Sequence, residues 1–186
     1  MSILSDLVPL ASIDPAAVEH LLDLAFGADR HQRTAYSLRR GMAPIAELSF
    51  AALSDGELVG SIQCWPVELR TADGTCVPMV LMGPVAVHPD RQRQGIGRRL
   101  VAATLAKADA SDSEPMVLIG DAVYYDRFFG FKASHTALWQ LPGPVERDRL
   151  LARVQPGQAL PRRAILGPRT CAVAEQAPSL VVPTSN

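Results

Sequence analysis

The stretch "VAVHPDRQRQGIGRRLVAATLAKA", Val85 to Ala108, constrains the fold more than any other part of the chain. An apolar β-type run stops at Pro89, passes through charged and amide residues and two glycines, and becomes a helical pattern. That pattern places Leu100, Val101, Ala103, Thr104, Leu105 and Ala108 at helical spacing. The first turn of a helix has unpaired N–H groups and a partial positive charge, so it attracts anions. Glycine lets the backbone approach a bulky ligand closely, and Gly95 and Gly97 stand at that entrance with Arg91, Arg93, Arg98 and Arg99 around them. The segment reads as a strand, a phosphate-binding loop and a helix. It is not a dinucleotide fingerprint, because Leu100 occupies the third glycine position and "HPDRQRQ" separates the strand from the glycines. Nor is it a Walker loop, since no Gly-Lys-Ser/Thr follows.

The flanking sequence supplies the other layers. "DPAAVEHLLDLAFG" predicts a helix with Asp14 as N-cap and Pro15 in its first turn, and "RTAYSLRRG" predicts a shorter, basic one. Two β-type runs flank Ser54-Asp55-Gly56-Glu57, and Asp-Gly is a strong hairpin signal. After "TADG" the run "CVPMVLMGPVAV" contains Pro84, which cannot donate to a ladder, so a bulge or splayed edge is expected there. "PMVLIG" reads as a short buried strand and "DAVYYDRFFG" as a short helix closed by Gly130. "FKAS" and "ALWQL" are expected to form a closing strand pair, while "RLLARVQPGQAL" is ambiguous between strand and helix. The order predicts a mixed α/β sheet in one domain over residues 1–174, with residues 175–186 as a flexible tail.

Composition narrows the functional classes. Of 186 residues 48% are hydrophobic and 20% charged, with a formal net charge of -1, which disfavours non-specific coating of nucleic acid or anionic membrane. No apolar run approaches the roughly 20 residues of a membrane span, and the N-terminus lacks a basic leader. Cys64, Cys76 and Cys171 form no CxxC pair, so a metal site and a disulfide framework are both disfavoured. Each cysteine is expected to be a small buried hydrophobe in a cytoplasmic protein.

"VAVHPDRQRQGIGRRL" closely resembles motif A of the GNAT (N-acetyltransferase) superfamily, in which a V-x-P strand end leads to Q/R-x-x-G-x-G/A at a helix start. "VLIGDAVYYDRFFGF" resembles that superfamily's second signature, a strand and a helix with Tyr and a closing Gly-Phe, and the likeness spans most of residues 46–139. The look is that of a bacterial predicted N-acetyltransferase. The resemblance implies a single domain with a mixed, mostly antiparallel twisted sheet, helices on both faces, and strands splayed at the cofactor site. It implies acetyl-CoA as acyl donor, with its pyrophosphate on Gln92, Arg93, Gln94, Gly95, Ile96 and Gly97, and with Arg98 beside it. The pantetheine arm would pair with Val85, Ala86 and Val87, and a backbone N–H near Ala86 or Val87 would meet the oxyanion.

An amine would attack the thioester directly, and the tyrosine of Y-x-x-x-G-F would serve the departing sulfur. This chain departs from the pattern there. Tyr125 lies five positions before Gly130, Tyr124 six, and Asp126 occupies the usual place. Tyr125 is the first candidate and Tyr124 the second. The glutamate common in the strand that meets the cofactor is replaced by Val80-Leu81-Met82, so the base is open among Asp121, Glu47, Glu68 and His88. The expected partners are acetyl-CoA and an amine of a small molecule or peptide, with a homodimer through the late strands as an option. The alternative is an acyl-CoA-binding module without turnover.

Overall fold

The computed structural model describes residues 6–170, so Cys171 and the expected tail lie outside the described residues. Strand β1 (Asp6–Pro9) precedes α1 (Pro15–Phe26), where the Asp14 carboxylate accepts from the Ala16 N–H at 3.0 Å. Helix α2 (Thr34–Leu38) stops well short of Gly41, shorter than its sequence pattern suggested. Strands β2 (Phe50–Ser54) and β3 (Glu57–Arg70) form the expected hairpin, with Asp55 and Gly56 both at positive φ. That geometry matches a two-residue turn whose twist suits a hairpin. Strand β4 (Cys76–Val87), α3 (Ile96–Ala110), β5 (Met116–Ile119) and α4 (Ala122–Phe129) follow in the expected order.

The C-terminal part differs from the sequence reading. "FKAS" is not a strand: Lys132 makes one isolated bridge to Ala152, and Ala133–His135 is a helical turn. The ambiguous "RLLARV" segment contains β7 (Leu150–Arg153), which pairs antiparallel with β5. Strand β6 (Leu138–Gln140) instead lies parallel to β8 (Arg163–Pro168), a strand that the sequence did not announce. Strand β8 also pairs with the second half of β3, from Val67 to Arg70.

The main path of the eight-stranded sheet runs β1-β2-β3-β4-β5-β7, and only β4–β5 is parallel along it. Alternation along β3 and β4 gives the sheet two apolar faces. Ile62, Cys64, Val80 and Met82 pack with Leu100, Val101 and Leu105 of α3 on one face. Val67, Leu69, Met79 and Leu81 pack with Leu38 and Trp139 on the other, and α1 packs on Ala51 and Ala86. Helix α3 sits close because Gly60 has no side chain; a Cβ there would lie 2.8 Å from Ile96 Cγ2 and 3.1 Å from Leu100 Cδ1. No helix among the described residues is long and apolar enough to cross a membrane.

Cysteine chemistry needs a correction. Cys64 is buried and free as expected, and burial pushes its thiol far above the ordinary range. Cys76 is only half-buried and is disulfide-bonded. Glu68 is corrected as well. A candidate base in the sequence, it is 3% exposed and already holds Arg70 at 2.6 Å and Thr170 at 2.9 Å.

Candidate active site

The site begins with a defect in the sheet. Ile62 opposes Val85, but Cys64 opposes Met82, so β4 carries one extra residue around Gly83 and Pro84. This is the irregularity that Pro84 predicted. On its other edge β4 pairs with β5 only at Val80–Met116 and Leu81–Val117. Beyond that point β5 turns away: Gly120 N–H donates to the Arg149 carbonyl at 2.9 Å, on the β7 side. The two parallel strands therefore diverge, and the far edge of β4 from Met82 onward faces a cleft. His88 N–H donates to the Val59 carbonyl at 2.9 Å. Since backbone direction alternates along a strand, the N–H groups of Val85 and Val87 face the cleft edge and that of Ala86 faces β3.

The next element is the entrance to α3. Gly95 is its N-cap, in the left-handed conformation at φ 80°, with open space where a Cβ would stand. Arg93 shares the positive sign at φ 63°. No side chain among the described residues caps α3, and its first turn carries no acidic residue. The contrast with α1 and α4, each capped by an aspartate, is direct. The entrance of α3 thus presents free N–H donors and the positive end of a 15-residue helix. Arg98 lies 4.4 Å over the Phe128 ring at the same mouth.

Two cavity regions meet at the splay. The smaller, about 260 Å³, is lined by Val85, Val87, Gln92, Gly97, Tyr124 and Tyr125 among others. The larger, about 1100 Å³, opens on the opposite side, between the splay, the α1–α2 segment and the loop before β7. Phe26, Val85 and Tyr125 line both regions. Of the candidate ligands, Ala86 and Ile96 bury their side chains in the cores, leaving only main-chain groups for a ligand. Arg93, Gln94, Gly95 and Arg98 lie exposed along the entrance.

Tyr125 stands where the two regions join. Its ring lies against the end of β5, where a Cβ on Gly120 would fall 2.5 Å from Tyr125 Cε2. Burial, with a smaller contribution from neighbouring Tyr124, pushes the Tyr125 hydroxyl up to about 12. Tyr124 packs edge-on to it at 5.1 Å between ring centroids and lines only the smaller region. Asp121 lines the larger region, and its carboxylate caps α4 by accepting from Tyr124 N–H at 2.7 Å. His88 accepts from the Asp90 N–H at 3.3 Å, and neither His88, Glu47 nor Glu68 lines either region.

Sequence reasoning missed the opposite wall. Arg30 and Arg39 are only 2% and 8% exposed, although the "LRRG" cluster containing Arg39 reads as a solvated face. Arg30 pairs with Glu19, with Asp23 at 2.8 Å, and with the Tyr36 hydroxyl. Burial alone would lower its pKa, but these bonds outweigh burial and raise it. Arg39 lies 3.8 Å over the Tyr36 ring and 4.5 Å over the Trp65 ring, and burial lowers its pKa.

The chain as a whole has counterparts among known proteins. The model of the acetyltransferase (GNAT) domain matches residues 10–133, and the chain belongs to that acetyltransferase family. A GNAT family N-acetyltransferase from Escherichia coli (YhbS), solved in complex with CoA, is 26% identical over 82% of each chain, with a TM-score of 0.64. A GNAT family acetyltransferase from Brucella melitensis, solved with acetyl-CoA, is 24% identical over 89% of this chain and 96% of its own, with a TM-score of 0.62. At 15% identity, Naa50 from Arabidopsis thaliana, in complex with a bisubstrate analogue, shares the fold with a TM-score of 0.52 over 82% of this chain and 100% of its own. No curated protein matches this chain.

Proposed function

We propose that the protein is an N-acetyltransferase that moves the acetyl group of acetyl-CoA to a primary amine. The observation that carries this reading is the uncapped entrance of α3 lying beside the edge of β4 that β5 abandons. A diphosphate suits the first, because free N–H groups and a helix dipole favour a multiply charged anion. An arm with amide groups suits the second, because an unpaired strand edge presents donors and acceptors that require partners. The bound CoA of the E. coli neighbour and the acetyl-CoA of the Brucella neighbour support the choice of donor.

The thioester supplies an activated acyl group, and the chain supplies position and electrostatics. The amine nitrogen forms its C–N bond to the acyl carbon as the C–S bond breaks. The Val87 N–H, facing the cleft, meets the charge that develops on the carbonyl oxygen. The proton released by the amine passes through water to Asp121 on the cleft wall. Tyr125 donates a hydrogen bond to the departing sulfur. Burial pushes the Tyr125 phenol up to about 12, which makes it a weaker acid than a thiol of ordinary pKa near 8.5 and disfavours full proton transfer. Tyr125 therefore stabilises the thiolate, and solvent delivers the proton.

The test is a calorimetric titration with coenzyme A, combined with an assay of thiol release from acetyl-CoA in the presence of amines. Binding with amine-dependent thiol release supports the reading. Binding without release for any amine points to a non-catalytic acyl-CoA module, and no binding removes both.

A further inference from the structure

Two arginines are buried in the wall of the larger cleft, and their electrostatic situations differ. Arg30 is saturated by two carboxylates and a phenol. Arg39, equally a cleft residue and more than nine-tenths buried, has no carboxylate partner among the described residues. Its polar partners are neutral. Nη1 reaches Gln63 Oε1 at a long 3.5 Å, and the nearby Tyr36 hydroxyl already accepts from Arg30. The Tyr36 and Trp65 rings hold the cation without consuming N–H donors, and a guanidinium has five. Trp65 Nε1 is itself a buried donor with no partner among the described residues. A desolvated cation is unfavourable unless an anion completes it. Among the described residues Glu19, paired with Arg30, acts on Arg39 only from a distance, and no carboxylate contacts this cation in the cavity wall.

We infer that the acceptor amine also carries a carboxylate, and that Arg39 receives it on the wall facing the splayed strands. This rests on the acetyl-transfer reading and narrows its substrate class to amino acids and similar zwitterionic amines. Arg is suited to the role because its planar fork matches the two carboxylate oxygens. The aromatic contacts fix the orientation of that fork before the acceptor arrives. Asp121 and Glu146 line the same cleft, so the ammonium end of such a molecule finds opposite charge away from Arg39.

The experiment compares matched acceptors with the intact wild-type chain. The standard L-amino acids and linear ω-amino acids from glycine to 6-aminohexanoate are each assayed against their primary amides, by thiol release from acetyl-CoA. We expect kcat/KM for the best acid to exceed that of its amide by about 30-fold or more, the loss typical of unpairing a buried charge. Arg39→Gln should remove that preference, acting mainly through KM, while coenzyme A affinity stays at the wild-type value. Equal rates for acids and amides in the wild type would overturn the carboxylate while leaving acetyl transfer standing. Failure of every amine to release thiol would remove acetyl transfer itself, and the inference with it. Because the acid–amide comparison uses only wild-type protein, a folding defect in the Arg39 variant does not weaken it.

Discussion

At the scale of single residues, Tyr125 carries the sharpest expectations. The hydroxyl is neutral at physiological pH, since burial moves its pKa from near 10 to about 12. As a hydrogen-bond donor to a leaving sulfur, it should matter in the transition state and little in the bound ground state. Tyr125→Phe is therefore expected to lower kcat roughly 100-fold, the usual effect of removing one such donor, with coenzyme A affinity nearly unchanged in calorimetry. The sign of its pH effect on stability also follows. A folded pKa above the unfolded one gives a contribution fully present below pH 10 and lost as pH rises toward 12. Denaturant midpoints across that alkaline window should fall more steeply for wild type than for Tyr125→Phe. Parallel curves would mean the phenol is solvated rather than buried against Gly120.

Asp121 poses a different question, because one carboxylate has two duties. It caps α4 through Tyr124 N–H and also faces the cleft. Serine is an equally good cap but no base at neutral pH. Asp121→Ser should hold stability within about 0.5 kcal/mol, whereas Asp121→Ala should lose about 1 kcal/mol. Turnover should fall in both variants if the carboxylate takes the amine's proton. Full turnover in the serine variant would leave Asp121 as a cap alone.

Among the elements, α3 and its approach were legible because their chemistry is local. The glycines, the proline and the apolar spacing of Leu100, Val101 and Leu105 all belong to one continuous stretch. The hairpin at Asp55-Gly56 and the bulge near Pro84 were legible for the same reason. Strand β8 was not, because the apolar run Ala164-Ile165-Leu166 is only three residues long before Gly167 and Pro168, and the strand gains its partners from β3 and β6 by long-range pairing. The "FKAS" segment failed in the opposite sense, with strand-like residues that find only one bridge partner. The wall proposed to receive the acceptor was hidden too. Arg39 reads as surface charge until Trp65 of β3, remote in sequence, closes over it beside Tyr36, three residues before it. The close seat of α3 on β3 depends on Gly60, an unremarkable glycine in the sequence. Gly60→Val should push α3 off the sheet, with a stability loss of about 1–3 kcal/mol from overpacking. Because the helix entrance moves with α3, coenzyme A affinity in calorimetry should drop in the same variant. Retained affinity would show that the entrance holds its place independently of that contact.

On the scale of the whole molecule, the site lies where the two faces of the sheet meet. Helices α3 and α4 pack on one face of the sheet and α1 and α2 on the other, and Phe26, Val85 and Tyr125 are shared by both cavity regions. A ligand lying from the α3 entrance into the splay therefore engages both sides of a sheet that is open there. Ligand that binds only the native state stabilises it by about 2.7 kcal/mol at a hundredfold excess over Kd. For a chain of this size, that corresponds to a rise in Tm of roughly 5–10 °C. We expect coenzyme A to produce such a rise in a thermal melt. Gly95→Val should abolish most of it: the left-handed N-cap disfavours a β-branched residue, and the new side chain stands at the helix entrance proposed to hold the diphosphate. The unliganded Tm should fall as well, by roughly 2–12 °C, because a β-branched residue at that positive φ carries about 1–3 kcal/mol of backbone strain although no atom lies within 4 Å of the added Cβ. Arg39→Gln, on the acceptor wall, should keep the full rise. A wild-type melt indifferent to coenzyme A would mean that the α3 entrance is not where the carrier binds. A Gly95→Val melt with the wild-type rise would place the diphosphate elsewhere on the molecule.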